Sequence, residues 1–280
     1  MPRPVPTMVR VNTPPAELLN AHVRRGPFRA ALFDFDGTLS LIREGWPRVM
    51  VGMMVEILHQ KQLARGGDWD HVERFVMALN GHPTLVQTTR FAEEVRSRGG
   101  EADDPRDYLR LYLGRLMGVV RQRWEVLESG RATPAAWVVP NAHAILRNLH
   151  ARGVPLFVAS GTDFAAVSHE AALLQVASFF GEEINAPRDD DPTFSKAAVI
   201  ARVLGQLGIR GDELIGFGDG VVETQAVKAA GGVAVGVASA EPGQGGVNPD
   251  KRDRLAAAGA DLIIGDYADQ EGLLAWLWGQ

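Results

Sequence analysis

The sequence predicts an α/β fold in which a parallel sheet carries helices on both faces, with a block of helices inserted after the first strand. Helix and strand patterns alternate from about residue 135 to residue 280, which is typical of βα units joined into a parallel sheet. A short apolar segment at Phe28–Phe33 supplies a further strand earlier in the chain. The residues between these two parts show helical spacing, and they predict the insertion.

The amino-terminal segment differs from the rest of the chain. Residues 1–27 contain repeated prolines and several arginines, with a short helical pattern at Pro15–Val23. This composition favours a loosely held arm. The segment Phe28–Phe33 then ends at an acidic run that begins with Asp34. A short apolar run bounded in this way is typical of a parallel strand buried on both faces, so we predict that the folded core begins at residue 28.

The middle of the chain predicts a domain of its own. From residue 41 to residue 134, apolar residues recur at helical spacing and are divided by glycine-containing breaks, one of them at Gly81-His82-Pro83. The pattern is typical of several amphipathic helices in succession. We therefore divide the chain into a core formed by residues 28–40 and 135–280 and a helical domain formed by residues 41–134.

The second part of the core predicts alternating helices and strands. Amphipathic spacing marks the helices, and short, mostly apolar runs mark the strands. The expected helices are Asn141–Arg152, Phe164–Leu174, Ser195–Leu207 and Glu223–Ala230. The expected strands are Pro155–Ala159, Glu183–Asn185, Glu213–Gly216, Val233–Val237 and Asp261–Ile264.

The composition argues against several functional classes. The chain has 280 residues, of which 46% are hydrophobic and 22% charged, as in ordinary globular proteins. A net charge of -5 without a long basic run argues against nucleic acid as the main partner. No apolar stretch reaches the roughly 18 residues of a membrane span and the start has no signal-peptide pattern, so we expect a cytoplasmic protein. The lack of cysteine excludes disulfides, a thiol nucleophile and cysteine metal sites.

Four polar clusters lie close to the ends of predicted strands or the starts of the helices that follow them. In an open parallel sheet, ligands bind beyond the carboxyl ends of the strands, so we expect the clusters to converge there. Asp34 and Asp36 follow the first strand, and alternation along an extended chain places both on one face. The other clusters are Ser160-Gly161-Thr162, Lys196, and Gly218-Asp219-Gly220 with Glu223 one helical turn after Asp219.

These residue types suit phosphoryl transfer. Carboxylates together with a backbone oxygen form a hard-oxygen site suited to Mg2+. A hydroxyl, glycine amides at a helix start and an ammonium group suit a phosphate. Asp34 can take the phosphoryl group as an acyl phosphate, and Asp36 can protonate the leaving oxygen and then activate water. The run Asp189-Asp190-Asp191 is instead typical of a solvated loop.

Taken in order, the four clusters resemble the four motifs of the haloacid dehalogenase superfamily. The resemblance extends from about Ala30 to Ile264. The inserted helices resemble the α-helical cap of the branch that contains phosphoglycolate phosphatase and β-phosphoglucomutase. The resemblance implies a Rossmann-like core and a cap that closes over the site, where closure excludes water and helps to select the substrate.

The resemblance also implies catalytic and phosphate-binding roles. Asp34 would be the nucleophile, and Asp36 would be the general acid and base. Lys196 would neutralise charge on the nucleophile and on the phosphate. Ser160 and the amide of Gly161 would hold phosphate oxygens.

For the metal, the resemblance implies that Mg2+ binds Asp34, Asp219 and the backbone carbonyl of Asp36. Glu223 stands where the superfamily more often has aspartate. Its longer side chain keeps the charge and would reach the metal directly or through water.

Residues of the insertion are candidates for substrate contact. Arg43 and Trp46 follow the acidic run closely enough to face the substrate. Thr84 and Gln87 lie at helical spacing and share one helix face. An exposed polar face without a role in binding is the alternative for all four residues.

The sequence thus predicts a Mg2+-dependent phosphatase that hydrolyses a small phosphorylated metabolite through an aspartyl-phosphate. A sugar-phosphate mutase, which keeps the same core residues, is the alternative enzyme, and a non-catalytic binding module is the alternative outside enzymes. A dehalogenase is disfavoured because it needs no metal, whereas this chain has a full acidic set. A phosphonate hydrolase is disfavoured because the resemblance there calls for a different residue in place of Asp36. The oligomeric state is left open.

Overall fold

A computed structural model, which describes residues 16–79, 84–188, 194–240, 242 and 246–280, confirms the predicted α/β fold. Most of the expected arm, the Gly81-His82-Pro83 break and the acidic run Asp189–Asp191 lie outside the described residues. The strands of the described part are β1 Glu17–Leu18, β2 Ala30–Phe33, β3 Leu156–Ala159, β4 Ile184–Asn185, β5 Leu214–Gly218, β6 Val233–Val237 and β7 Leu262–Ile264. They form one sheet in the order β1-β7-β6-β5-β2-β3-β4, in which the pairing of β1 with β7 is antiparallel and all other pairings are parallel.

Four helices between β2 and residue 135 correspond to the predicted insertion. Their bounds are α1 Trp46–Gln60, α2 Asp68–Ala78, α3 Thr84–Ser97 and α4 Pro105–Glu128. The methionine-rich face of α1 is fully buried, as its helical spacing predicts. The arrangement agrees with a helical cap, and the domain bounds at residues 40 and 135 stay a prediction.

The remaining helices pack on the two faces of the sheet. They are α5 Ala142–Ala151, α6 Phe164–Leu173, α7 Ala177–Phe180, α8 Lys196–Leu207, α9 Val221–Ala229, α10 Pro249–Ala257 and α11 Gln270–Leu277. Ala31 and Phe33 of β2 belong to the apolar cluster that includes buried residues of α5, α6 and α11. Ala30 and Leu32 belong to the cluster that includes α8 and α9. Successive side chains of a strand point to opposite faces, so β2 is covered on both sides, as expected for a central parallel strand.

The part of the amino-terminal segment that the structure describes is not a loose arm. Glu17 and Leu18 pair with Ile263 and Leu262 at the edge of the sheet, and the expected helix at Pro15–Val23 is absent from its described residues. An unpaired strand edge offers backbone donors and acceptors, which explains why this short segment pairs there instead of forming an isolated helical turn.

Three helices were not expected from the sequence, namely α7, α10 and α11. The segment of α10 carries five charged residues in nine and buries only Lys251 and Leu255, so it lacks an amphipathic pattern. The helix starts locally, because the side chain of Asn248 accepts a hydrogen bond from the amide of Lys251 at 3.1 Å and Pro249 occupies the first turn. None of the helices in the described part of the chain is long and apolar enough to cross a membrane.

Candidate active site

Two central strands carry the first two carboxylates of the site. Asp34 follows β2 and Asp219 follows β5, and the amide of Asp34 donates to the carbonyl oxygen of Phe217 at 2.8 Å. Directly after Asp36 the chain turns at Gly37, where φ is 73°. A Cβ at this position would overlap the carboxylate of Asp219. Glycine is therefore required both by the left-handed backbone and by the close approach of the two strand ends.

Three carboxylates meet at this edge of the sheet. Oxygen atoms of Asp34, Asp219 and Glu223 lie within 4.8 Å of one another. Asp34 and Glu223 are buried, and Asp219 is partly exposed to the cleft above the sheet. A cluster of hard oxygen donors with no nitrogen or sulfur ligand fits a divalent cation such as Mg2+.

Lys196 lies among these carboxylates. Its ammonium group is 2.8 Å from Asp34 Oδ1 and 2.9 Å from Glu223 Oε2. Ser195 caps α8 by accepting from the amide of Ala198, which places Lys196 in the first turn of the helix and directs it to the end of β2. Burial alone would lower the pKa of Lys196, but the two carboxylates raise it above its ordinary value, so the side chain is a fixed cation.

Glu223 differs from the other two carboxylates because both of its oxygens accept hydrogen bonds. Oε2 accepts from Lys196 at 2.9 Å, and Oε1 accepts from the amide of Gly220. Burial raises the pKa of Glu223, but the Lys196 ammonium and the Gly220 amide outweigh that effect and hold it below its usual value. Glu223 is therefore anionic and also orients Lys196, which sequence reasoning did not anticipate.

For the other two carboxylates, the effect of burial on the pKa outweighs the effect of the neighbouring cations. It raises the pKa of Asp34 well above the ordinary value, against the opposing charge of Lys196. It also raises the pKa of Asp219 to about 6, against the opposing charge of Lys251. A divalent cation on these oxygens would favour their charged forms and lower both pKa values.

Lys251 is a second buried cation at the site, and sequence reasoning missed it. Its ammonium group lies 3.0 Å from Asp219 Oδ2 and 2.7 Å from Glu44 Oε1, and it donates to Ser239 Oγ at 3.0 Å. Glu44 belongs to the segment between β2 and α1, so Lys251 links the start of the insertion to the carboxylate cluster. The sequence did not indicate that Lys251 lies at the site, because it is one of several charged residues in α10 and belongs to no motif.

Asp36 lies beside the cluster, with a hydrogen-bond donor on one side and an arginine on the other. The hydroxyl of Thr162 donates to Asp36 Oδ2 at 2.7 Å, and Arg43 Nε lies 3.5 Å from Asp36 Oδ1. Asp163 caps α6, because its side chain accepts from the amides of the first turn, and this leaves the Thr162 hydroxyl to Asp36. The cleft lining includes Gly161 and Thr162, whereas Ser160 is buried and its hydroxyl accepts from the amide of Thr162 at 3.1 Å.

Arg43 lines the cleft, and its guanidinium is paired with carboxylates of the core. Its NH2 group lies 2.7 Å from Glu170 Oε1 on α6. Glu170 is fully buried. Burial, followed by the negative charge of Asp36, raises the pKa of Glu170 to about 7, while Arg43 opposes the shift. Glu170 was not recognised in the sequence, because one acidic residue in a mostly apolar helix has no motif.

The candidate residues of the insertion face the same cleft, which has a volume of about 810 Å³. Trp46, Thr84 and Gln87 all contribute to its lining. Gln87 is not on an exposed face, because it is buried and donates to the carbonyl oxygen of Val76 at 3.1 Å. Its amide therefore also stabilises the packing of α2 on α3.

Comparison with known proteins identifies relatives of this fold. Residues 28–231 match the family model of haloacid dehalogenase-like hydrolases. No curated protein matches the sequence significantly.

Solved structures of similar fold cover most of the chain at low sequence identity. One is a predicted phosphoglycolate phosphatase from Haemophilus somnus 129Pt, with a TM-score of 0.58 and 19% identity over 87% of this chain and 96% of that one. A hydrolase of the same family from Deinococcus radiodurans R1, with bound phosphate and sodium, has a TM-score of 0.57 and 19% identity over 90% and 96% of the two chains. A β-phosphoglucomutase from Clostridium difficile has a TM-score of 0.55 and 13% identity over 89% and 99%. At these identities the likeness shows the shared fold.

Proposed function

The chain belongs to the haloacid dehalogenase-like hydrolase family, and from this premise we propose that it is a Mg2+-dependent phosphatase acting on a small phosphorylated metabolite. One observation carries the proposal. The carboxylate of Asp34 stands at the end of the central strand, 2.8 Å from the ammonium of Lys196, at the base of a cleft whose opposite wall comes from the helical insertion. A buried carboxylate held by a fixed cation at a cleft floor is suited to attack phosphorus.

In the first step, Asp34 attacks the phosphorus atom and the bond to the leaving oxygen breaks. Asp36 donates a proton to that oxygen, so the leaving group departs as a neutral alcohol. Lys196 neutralises charge on the transferred group, and the amide of Gly161 binds one of its oxygens. The product of this step is a phosphorylated Asp34.

In the second step, water attacks the phosphorus of the aspartyl-phosphate. Asp36 now accepts a proton from the water, and the bond between phosphorus and the Asp34 oxygen breaks. Inorganic phosphate is released and both carboxyl groups return to their starting forms. The buried Ser160 contributes by holding the Thr162 amide, and so the loop that faces the phosphate.

A divalent cation would be held by Asp34, Asp219 and the backbone carbonyl of Asp36, and when bound it supplies positive charge against the phosphoryl oxygens. Glu223 is the carboxylate best placed to act through water, because both of its oxygens already accept hydrogen bonds. The oxygen-only donor set supports Mg2+ over a softer metal.

A mutase would hold a sugar bisphosphate during turnover, which requires cationic groups of the helical insertion for a second phosphate. Arg43 is the one cation that the described part of the insertion contributes to the cleft, and it is already paired with Glu170. This pairing favours water as the phosphoryl acceptor. A non-catalytic module is disfavoured because Asp34, Asp36 and Lys196 are all in contact with partners suited to the reaction.

Two assays test this function. Hydrolysis of p-nitrophenyl phosphate with Mg2+ should be measurable, and its absence under all metal conditions would refute the phosphatase assignment. Incubation with sugar monophosphates should release stoichiometric inorganic phosphate. Isomerised sugar phosphate without phosphate release would show that the chain is a mutase.

A further inference from the structure

Glu170 is a buried carboxylate for which the proposed reaction has so far no use. It lies in α6, on the core side of the cleft, and its side chain is fully buried. A buried charge without compensation is strongly destabilising. The role of Glu170 therefore depends on the cation that pairs with it. That partner is Arg43, whose NH2 group lies 2.7 Å from Glu170 Oε1.

Arg43 in turn faces Asp36. Its Nε lies 3.5 Å from Asp36 Oδ1. Both of these atoms are buried, and neither makes a hydrogen bond within the described residues. Each atom therefore lacks a partner that the other could supply. A slightly shorter distance between Arg43 Nε and Asp36 Oδ1 would make this contact a charge-assisted hydrogen bond.

The other oxygen of Asp36 is already fixed, because Thr162 Oγ1 donates to Oδ2 at 2.7 Å. A carboxyl held at both oxygens has one orientation, whereas a carboxyl held at one oxygen can rotate. Arg43 can act as the second support only if its own guanidinium is fixed. The fully buried Glu170 supplies that fixed point.

We propose that Glu170 is a positioning residue, which through Arg43 holds the Asp36 carboxyl in the orientation needed to transfer a proton to the leaving group. The proposal rests on the function proposed above, in which Asp36 is the general acid. It also assigns Arg43 a task in the core of the reaction instead of recognition of the distal part of the substrate.

General-acid catalysis matters most for a poor leaving group. Phenyl phosphate and p-nitrophenyl phosphate have nearly the same shape, but phenolate is a much poorer leaving group, with the pKa of phenol close to that of tyrosine at about 10. The quantity to compare is kcat/KM, because it reports the steps up to departure of the leaving group and excludes the later hydrolysis of the aspartyl-phosphate, in which Asp36 also takes part.

The experiment compares Glu170→Gln with the wild type at pH 8, above the pKa of about 7 of Glu170, in saturating Mg2+. We expect kcat/KM for phenyl phosphate to fall at least about ten-fold further than kcat/KM for p-nitrophenyl phosphate, since positioned proton transfer contributes roughly 10²–10⁴-fold. Glu183→Gln is the matched control, because it neutralises another carboxylate of the core that is paired with an arginine, 3.3 Å from Arg202 and outside the cleft. It should leave unchanged the ratio of kcat/KM for phenyl phosphate to kcat/KM for p-nitrophenyl phosphate.

Two further variants keep the outcome decisive. Arg43→Lys retains a cation for Glu170 but removes the Nε that faces Asp36, so it should reproduce the selective loss even if Glu170→Gln fails to fold. The double variant, with Glu170→Gln added to Arg43→Lys, should then have the same ratio of kcat/KM for the two substrates as Arg43→Lys alone. An equal loss on both substrates, or no loss, in the folded variants would overturn the positioning role. A wild type without activity on either substrate would instead refute the proposed function.

Discussion

Replacing Lys196 with methionine removes the cation between Asp34 and Glu223 while keeping most of the side-chain volume. The ammonium lies 2.8 Å and 2.9 Å from the two carboxylates, and the lysine side chain is only 11% exposed. Breaking a buried ion pair by removing one partner costs about 3–5 kcal/mol, because the remaining charge stays buried without compensation. We therefore expect Lys196→Met to lower the free energy of unfolding by about 3–5 kcal/mol near pH 8 in the presence of EDTA.

The loss should depend on pH with a definite sign. In the wild type the pKa of Lys196 is raised, so its ion pairs contribute fully below the unfolded value of 10.5 and are lost only as the pH rises through the higher folded value. In the variant, the folded pKa of Asp34, which burial already raises in the wild type, rises further, and that of Glu223 loses the lowering effect of Lys196 and rises above its unfolded value. The folded variant then binds more protons than the unfolded chain, and its stability falls as pH rises. The difference from the wild type should be smaller at pH 5 than at pH 8, by about 1 kcal/mol or more.

The assay is urea denaturation at both pH values, together with kcat/KM on p-nitrophenyl phosphate in Mg2+. Loss of a preorganised charge at the transferred group should lower kcat/KM by roughly 10²–10³-fold. Lys228→Met is a control, because Lys228 lies in the same helix as Glu223 but pairs at 2.7 Å with the buried Asp261 and does not line the cleft. That control should keep its activity. A Lys196→Met variant that loses less than about 1 kcal/mol, or the same amount at both pH values, would contradict the electrostatic reasoning.

Three other predictions concern the metal, the ion pairs of Arg98 in the insertion, and Gly37. Activity should disappear on treatment with EDTA and return with Mg2+ or Mn2+, as a phosphate-release assay would show, and full activity after exhaustive chelation would contradict the metal assignment. Arg98→Met should lower the stability of the helical insertion by about 3–5 kcal/mol, because it leaves the buried Asp68 without its cation at 2.7 Å and removes the cation 2.9 Å from Glu94, which keeps its contacts with His71 and Arg90. Since the pKa values of both carboxyl groups are lowered, the wild-type contribution should be present above the unfolded values of 3.8 and 4.5 and lost as pH falls below them, which denaturation at pH 3 and pH 7 would test. Gly37→Ala should abolish phosphatase activity, because a Cβ there overlaps the Asp219 carboxylate, and a crystal structure of an active variant with an undisturbed Asp219 would refute this reason.

Features fixed by local pattern could be predicted from the sequence. The apolar strand before Asp34, the glycine-flanked Asp219 and the lysine at the start of α8 all have short-range signals, and the structure brings them together at one edge of the sheet. The strand and helix alternation likewise predicted the order of most core elements.

Features that depend on distant partners could not be predicted. Glu170 and Lys251 are separated from their partners Arg43 and Glu44 by 127 and 207 positions, and only the folded chain shows that each is buried against them. The edge strand Glu17–Leu18 was missed for the same reason, because its pairing depends on the backbone of β7 rather than on its own composition.

The central claim is that Asp34 becomes phosphorylated during turnover. It is tested most directly by mixing enzyme with excess p-nitrophenyl phosphate and Mg2+, quenching in acid within the first turnover, and locating any phosphoryl group by peptide mass spectrometry. We predict a single added phosphoryl group on the peptide that contains Asp34, and neither label nor turnover in a folded Asp34→Asn variant. A phosphoryl group on another residue, or wild-type turnover by Asp34→Asn, would contradict the claim.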